Sequence, residues 1–127
     1  NRRIEVVLRV YYEDTDIGGF VYYANYLKFC ERARSEIFFS KNMSPCRDDY
    51  HFVVKNLSAN YKKPAKFGDL LYVESRLISI KNASIKLSQS INKNGDEIFS
   101  MDVELVCLKG EKISRIPQEY IEVFSTL

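Results

Sequence analysis

A change of hydrophobic period after about residue 45 constrains this chain more than any other feature. Over residues 24–41, Tyr26, Cys30, Ala33 and Ile37 recur at three- and four-residue spacing, the period of an α-helix. Leu27, Phe29, Phe38 and Phe39 widen the apolar surface beyond one stripe, and a helix this apolar is wrapped by other structure. Lys28, Glu31, Arg32, Ser35 and Glu36 form its polar side, and Asn42 and Pro45 lie where it should stop. Beyond them the period falls to two, the signature of half-buried strands.

Strands are expected over 5–12, 51–61, 70–80, 84–92 and 98–109, with a last short one over 120–124. The fourth alternates cleanly, Ile85, Leu87 and Ile91 against Lys86, Ser88 and Ser90. Phe99, Met101, Val103, Leu105 and Cys107 share one face of the fifth. Asn94-Gly95 between them is a two-residue hairpin signal, because both central positions of that turn need positive φ. One long helix beside a run of antiparallel strands is a two-layer α+β domain. A sheet with one helical cover buries one face, so alternation is its mark. No repeat or boundary divides the chain, and residues 1–127 read as a single domain.

With 127 residues the chain can bury a core without disulfide or metal staples. Its net charge of +2 carries no block of basic residues, so no field for nucleic acid is implied. Cys30, Cys46 and Cys107 are an odd set without CxxC spacing, which points to free thiols in a reducing compartment. His51 is the only histidine, which excludes zinc sites built on several His; no metal is expected. No apolar run reaches membrane-spanning length, and the opening Asn-Arg-Arg-Ile-Glu lacks the apolar stretch of a signal peptide. The expected location is cytoplasmic.

The chemistry concentrates in Arg9-Val-Tyr-Tyr-Glu-Asp-Thr-Asp16-Ile-Gly-Gly-Phe-Val-Tyr-Tyr23-Ala-Asn25-Tyr-Leu. Asp16 follows a strand and precedes Gly18-Gly19, which permit a sharp turn and close approach of a ligand. The long helix starts just beyond, and first-turn amides lack intrahelical partners. A carboxylate and free amides are thus held near each other, a minimal acyl-transfer constellation. Asp-x-Asp before a helix also serves as plain turn and capping chemistry. Asp14 fits that structural role while Asp16 does chemistry. Tyr22, Tyr23 and Tyr26 read as core before ligand platform, His51 as a strand-start residue, and Cys30 as helix packing.

This stretch resembles the signature of the 4-hydroxybenzoyl-CoA thioesterase-like hotdog family, and within it the Tol–Pal-associated (YbgC-type) acyl-CoA thioesterases. Residues 25–36 resemble the opening of that family's central helix, and Asn60-Tyr-Lys-Lys-Pro-Ala-Lys-Phe-Gly-Asp69 its YxxPAxxGD element. The resemblance covers roughly residues 5–110. It implies a hotdog fold, one long central helix wrapped by an antiparallel sheet of about five strands. It implies hydrolysis of an acyl-CoA thioester, with coenzyme A entering as part of the substrate and no other cofactor. By the same resemblance Asp16 is the catalytic carboxylate, as general base or nucleophile, and the backbone N–H of Tyr23 polarises the thioester carbonyl. Members of this branch often carry His where Tyr23 stands; a backbone donor survives that change. Gly19 and Val21 would line the substrate, and Lys81 and Ser84 would meet the phosphates of CoA, with Lys62, Lys63 and Lys66 as further cations. A homo-oligomer is implied, a dimer of dimers with active sites between subunits. Two other readings stay open. One is a non-catalytic acyl-CoA-binding or partner-binding module. The other is a hydratase, which would set a His beside the carboxylate although the sole His lies far from Asp16 in sequence.

Overall fold

The computed structural model describes residues 4–127. In chain order these form β1 (Ile4–Arg9), α1 (Asn25–Phe39), β2 (Tyr50–Tyr61), β3 (Leu70–Ile80), β4 (Ser84–Lys93), β5 (Asp96–Lys109), β6 (Lys112–Ile113) and α2 (Gln118–Phe124). The strands pair antiparallel in the order β1-β3-β4-β5-β2, with the two-residue β6 on β5. One long helix against five long antiparallel strands is the α+β architecture expected. The β4–β5 turn falls on Asn94 and Gly95, both at positive φ (52° and 84°), the conformation an Asn-Gly hairpin needs.

Alternation becomes burial on one face. Leu71 and Val73 of β3, Ile85, Leu87 and Ile91 of β4, and Phe99, Met101, Val103, Leu105 and Cys107 of β5 are all buried. Against them α1 buries Tyr26, Phe29, Cys30, Ala33, Ile37 and Phe38. Each large side chain so buried stabilises the fold by about 1.5–3 kcal/mol. Two polar side chains lie in this layer, Ser75 and Gln89, and both are satisfied. Gln89 Nε2 donates to Cys30 O and to Ser75 Oγ, each at 3.0 Å, and Arg34 Nη1 donates to Gln89 Oε1 at 2.8 Å.

The helix does not cover the sheet evenly. It lies over β3 and towards β1, leaving β2 bare at the opposite edge. Val54, Leu57 and Tyr61 pair in register with Leu105, Val103 and Phe99 and so face the helix side. They nevertheless remain 48%, 38% and 49% exposed.

Two expectations need correction. Residues 120–124 form most of α2, not a strand. Pro117 (φ −57°) sets up the first turn, and Tyr120, Val123 and Phe124 bury one face at helical spacing. That face meets Phe38 and Phe52, with Phe38–Tyr120 and Phe38–Phe124 ring centres 5.4 and 5.3 Å apart. The first strand also stops at Arg9 rather than Tyr12. Tyr12–Asp14 is a 3-10 turn, closed by Tyr11 N–H donating to Asp14 Oδ2 at 2.9 Å.

Candidate active site

Between β1 and α1 the chain makes a small hairpin. Thr15 and Val21 bridge antiparallel, Asp16 N–H donates to Phe20 O at 2.8 Å, and Gly19 N–H donates to Asp16 O at 3.0 Å. Gly19 takes φ 84°, a left-handed conformation that side chains rarely adopt. Within this turn Asp16 Oδ1 accepts from Gly18 N–H at 2.9 Å and from Phe20 N–H at 3.3 Å. Oδ2 has no partner among the described residues, and the side chain is exposed. A Cβ at Gly18 would stand 3.3 Å from Oδ1, so a side chain there would crowd the carboxylate. One oxygen of Asp16 is therefore anchored and the other is free.

Asp14 does the opposite. It is 6% exposed, its carboxylate caps the 3-10 turn, and its carbonyl accepts from Tyr22 N–H at 3.0 Å and Asn25 Nδ2 at 2.9 Å. It ties the loop to the start of α1, the structural role expected of it.

That helix start has no side-chain cap. Among the described residues, Tyr23 N–H and Ala24 N–H have no acceptor. The peptide carrying Tyr23 N–H is held from its other side, because Tyr22 O accepts from Asn25 N–H at 2.8 Å. In a planar trans peptide the N–H points away from its C=O. Tyr61 Oη fixes the next peptide by donating to Tyr23 O at 2.9 Å. Free, oriented amides at a helix start bind a polarised oxygen or an anion. Around them Tyr22 and Tyr23 are exposed and stacked obliquely, centres 4.8 Å apart. Of the three tyrosines read as core, only Tyr26 is buried.

Gly19 lies at the exposed tip of the hairpin, whereas Val21 is buried and its N–H donates to Ala65 O at 2.8 Å. Val21 therefore docks the loop, and its side chain belongs to the core. Lys81 and Ser84 close the β3–β4 turn, Lys81 N–H donating to Ser84 O at 2.8 Å. That turn is at the far end of β3 from the Asp16 loop, roughly 33 Å along ten strand steps. Within one chain the two do not meet. Beside Lys81 lies Arg115, delivered by Ile116 N–H donating to Asn82 O at 2.8 Å. Lys81, Asn82, Ser114, Arg115 and Gln118 line an open hollow of about 570 Å³. Arg115 carries no sequence signal linking it to Lys81. Lys62 and Lys63 are engaged by Glu97 and Asp96. His51 Nδ1 lies 3.3 Å from Asp49 O at one end of β2, while Tyr61 meets Tyr23 at the other. Burial pushes the Cys30 thiol up to about 12, so it stays protonated and inert.

Comparison with known proteins agrees with this geometry. Residues 18–100 match the thioesterase superfamily; the match opens two residues after Asp16. An acyl-CoA thioesterase YbgC of Helicobacter pylori is 45% identical over 83 residues, 65% of this chain and 62% of that protein's length. The acyl-CoA thioesterase YbgC of Haemophilus influenzae is 37% identical over 126 residues, 94% of this chain and 93% of that one. A hypothetical protein from Aquifex aeolicus has a crystal structure of the same fold. Its TM-score is 0.90 at 27% identity, covering 95% of this chain and 98% of that one. A match over more than half the chain, with the long helix, the Asp16 hairpin and the wrapped sheet in place, makes this protein a member of the thioesterase superfamily with a hotdog fold.

Proposed function

We propose that this protein hydrolyses acyl-CoA thioesters to a free acid and coenzyme A, with Asp16 as its catalytic carboxylate. The observation that carries the reading is the divided role of that carboxylate. Oδ1 is held by Gly18 and Phe20 amides and Oδ2 is open, in register with a helix start whose Tyr23 N–H lacks an acceptor. The thioester carbonyl accepts from Tyr23 N–H, which stabilises the charge that builds on oxygen. Oδ2 then takes a proton from a water attacking the carbonyl carbon, or attacks that carbon itself to give an anhydride that water opens. In either route the C–S bond breaks and the CoA sulfur leaves with the bonding pair and is protonated. Single turnover in ¹⁸O-water separates the routes, since only the nucleophilic one leaves a solvent-exchanged oxygen on Asp16 after repeated cycles.

The working unit is a homo-oligomer, and its supporting feature is the bare β2 edge. A two-fold axis through β2, perpendicular to the sheet, would extend the sheet and swap its ends. The Lys81 and Arg115 hollow of the second copy then comes to the Asp16 end of the first, where CoA phosphates need cations. The expected tetramer is a dimer of such dimers. A cytoplasmic location suits Cys30, Cys46 and Cys107, all of which are free thiols. The deciding experiment is thiol release from a panel of aromatic, short-chain and medium-chain acyl-CoAs. Turnover of at least one that is abolished with Asp16 supports a hydrolase. Binding of CoA esters without thiol release from any would make the protein a binding module instead.

A further inference from the structure

The groove between α1 and β2 has a cation at its centre with no anion to match. Arg34 comes from mid-α1 and is mostly buried, and burial pulls its pKa below the usual guanidinium value. Nη1 is committed to Gln89 Oε1. Among the described residues no carboxylate lies within ion-pair reach of it. No described side-chain nitrogen or oxygen is sealed off without a partner, so the unused Arg34 nitrogens open onto the groove. The groove holds two hollows, of about 430 and 210 Å³. From α1, Leu27 and Lys28 line one, Ser35 and Phe38 the other, and Glu31 and Arg34 line both. Glu31 is exposed.

Symmetry turns this arrangement into a contact. A two-fold axis perpendicular to the sheet keeps each face on its own side and reverses the direction of α1. The two helices then lie antiparallel over the joined β2 strands, and residue i of one faces residue j of the other with i + j constant. Glu31 and Arg34 flank the midpoint of α1, which spans Asn25–Phe39, so the seam centred on the helix sets each against the other. Leaving Arg34 unpaired when the seam closes would strand a buried charge, which is strongly destabilising.

We infer that the chain pairs with a second copy through this groove, Arg34 meeting Glu31 of the partner subunit in two equivalent ion pairs that fix the register of the α1–α1 seam. The inference rests on the oligomer reading above and adds its partner residues. It is tested by sedimentation of Glu31→Arg, Arg34→Glu, their equimolar mixture and the double variant. Each single variant places like charges at both contacts, and its self-association should weaken about a hundredfold or more, as for truncated or reversed buried pairs at interfaces. The mixture should restore assembly, because the heteromer has Arg opposite Glu at both contacts. The double variant should restore it as well. Full assembly of both single variants would overturn the pairing. Rescue by the double variant without rescue by mixing would overturn it too, since the pair would then lie within one chain. A shift in acyl-CoA preference with assembly unchanged would assign Arg34 to the acyl group instead, which also refutes it. A wild-type monomer at micromolar concentration refutes the oligomer reading itself, a result distinct from all of these. Where Arg34→Glu fails to fold by circular dichroism, Glu31→Gln and Arg34→Gln form a cycle. Non-additive losses of association support the pair, and additive ones overturn it.

Discussion

Asp16→Asn isolates the chemistry of the carboxylate from its role in the turn. Asn Oδ1 can accept the same two hydrogen bonds, from Gly18 N–H and Phe20 N–H, that Asp16 Oδ1 accepts at 2.9 and 3.3 Å. The hairpin is therefore kept. The open oxygen becomes an NH₂ group, which can neither take a proton from water nor attack a carbonyl. Loss of a general base lowers turnover by about a hundredfold or more, or about 2.7 kcal/mol of barrier at 1.36 kcal/mol per tenfold. The exposed side chain loses only the charge assistance in two turn hydrogen bonds, so stability should fall by about 1 kcal/mol or less. Asp14→Asn is the paired control. Its buried carboxylate accepts from Tyr11 N–H, and the amide brings an NH₂ into a buried site without a partner, costing about 1–3 kcal/mol. Thermal unfolding should rank Asp14→Asn as the less stable variant, and thiol-release kinetics should rank Asp16→Asn as the slower, with KM little changed. An Asp16→Asn enzyme turning over at the wild-type rate refutes the assignment. A folded but inactive Asp14→Asn would show that the other carboxylate is the catalytic one.

Three further outcomes follow from the same structure. Lys81→Ala and Arg115→Ala should each raise KM for acyl-CoA about tenfold with kcat nearly unchanged, because phosphate contacts lie far from the bond broken; wild-type kinetics for both would remove that hollow from the substrate site. Titration of the native protein with a thiol reagent near pH 8 should modify Cys46, which is exposed, while Cys30 and Cys107, buried with raised thiol pKa values, react only on unfolding. Burial raises the Asp69 pKa, but the Lys93 ammonium at 2.8 Å and the Lys66 amide outweigh it and hold the value below the usual one. Its stabilisation is thus fully present above the unfolded carboxylate value of about 3.9 and lost as pH falls through the lower folded value. Acid-unfolding curves of wild type and Asp69→Asn should converge at that end.

The fold was legible wherever one physical signal dominated. The apolar stripe of α1 and the Asn94-Gly95 turn each had a single sensible reading. Residues 120–124 did not, since Tyr-Ile-Glu-Val-Phe satisfies a strand and a helix template alike, and the choice is made by Phe38 and Phe52, far off in sequence. The bare face of β2 was hidden for another reason. A bulge between Val54 and Asn56 shifts the register, so Val54 and Leu57 share a face despite their odd spacing. At the site, the loop was visible from Asp16, Gly18 and Gly19. The division between a held oxygen and an open one was not, because it depends on a hairpin closed by Phe20. Arg115 reaches Lys81 only through the Ile116–Asn82 hydrogen bond, a contact for which residue type gives no hint.

The Pro-Ala-Lys-Phe-Gly-Asp segment acquires a purpose once the loop is in place. Val10 N–H donates to Asp69 O and Gly68 N–H to Val10 O, both at 2.9 Å, while Val21 N–H donates to Ala65 O at 2.8 Å. Residues 10–21 are thus docked at both ends on residues 65–69, with Asp16 between the two anchors. Ala65 is in turn held by the core, its N–H donating to the Tyr26 hydroxyl at 3.0 Å, and Tyr26 stacks on Phe99 of β5. A carboxylate on a loop is ordinarily a poorly placed one, and misplacement by an ångström is costly in rate. Here the placement passes from β5 through α1 and Ala65 to the hairpin, and the last degree of freedom, rotation of the side chain itself, is limited by the Gly18 and Phe20 amides. What stays free is one oxygen, the atom the reaction needs.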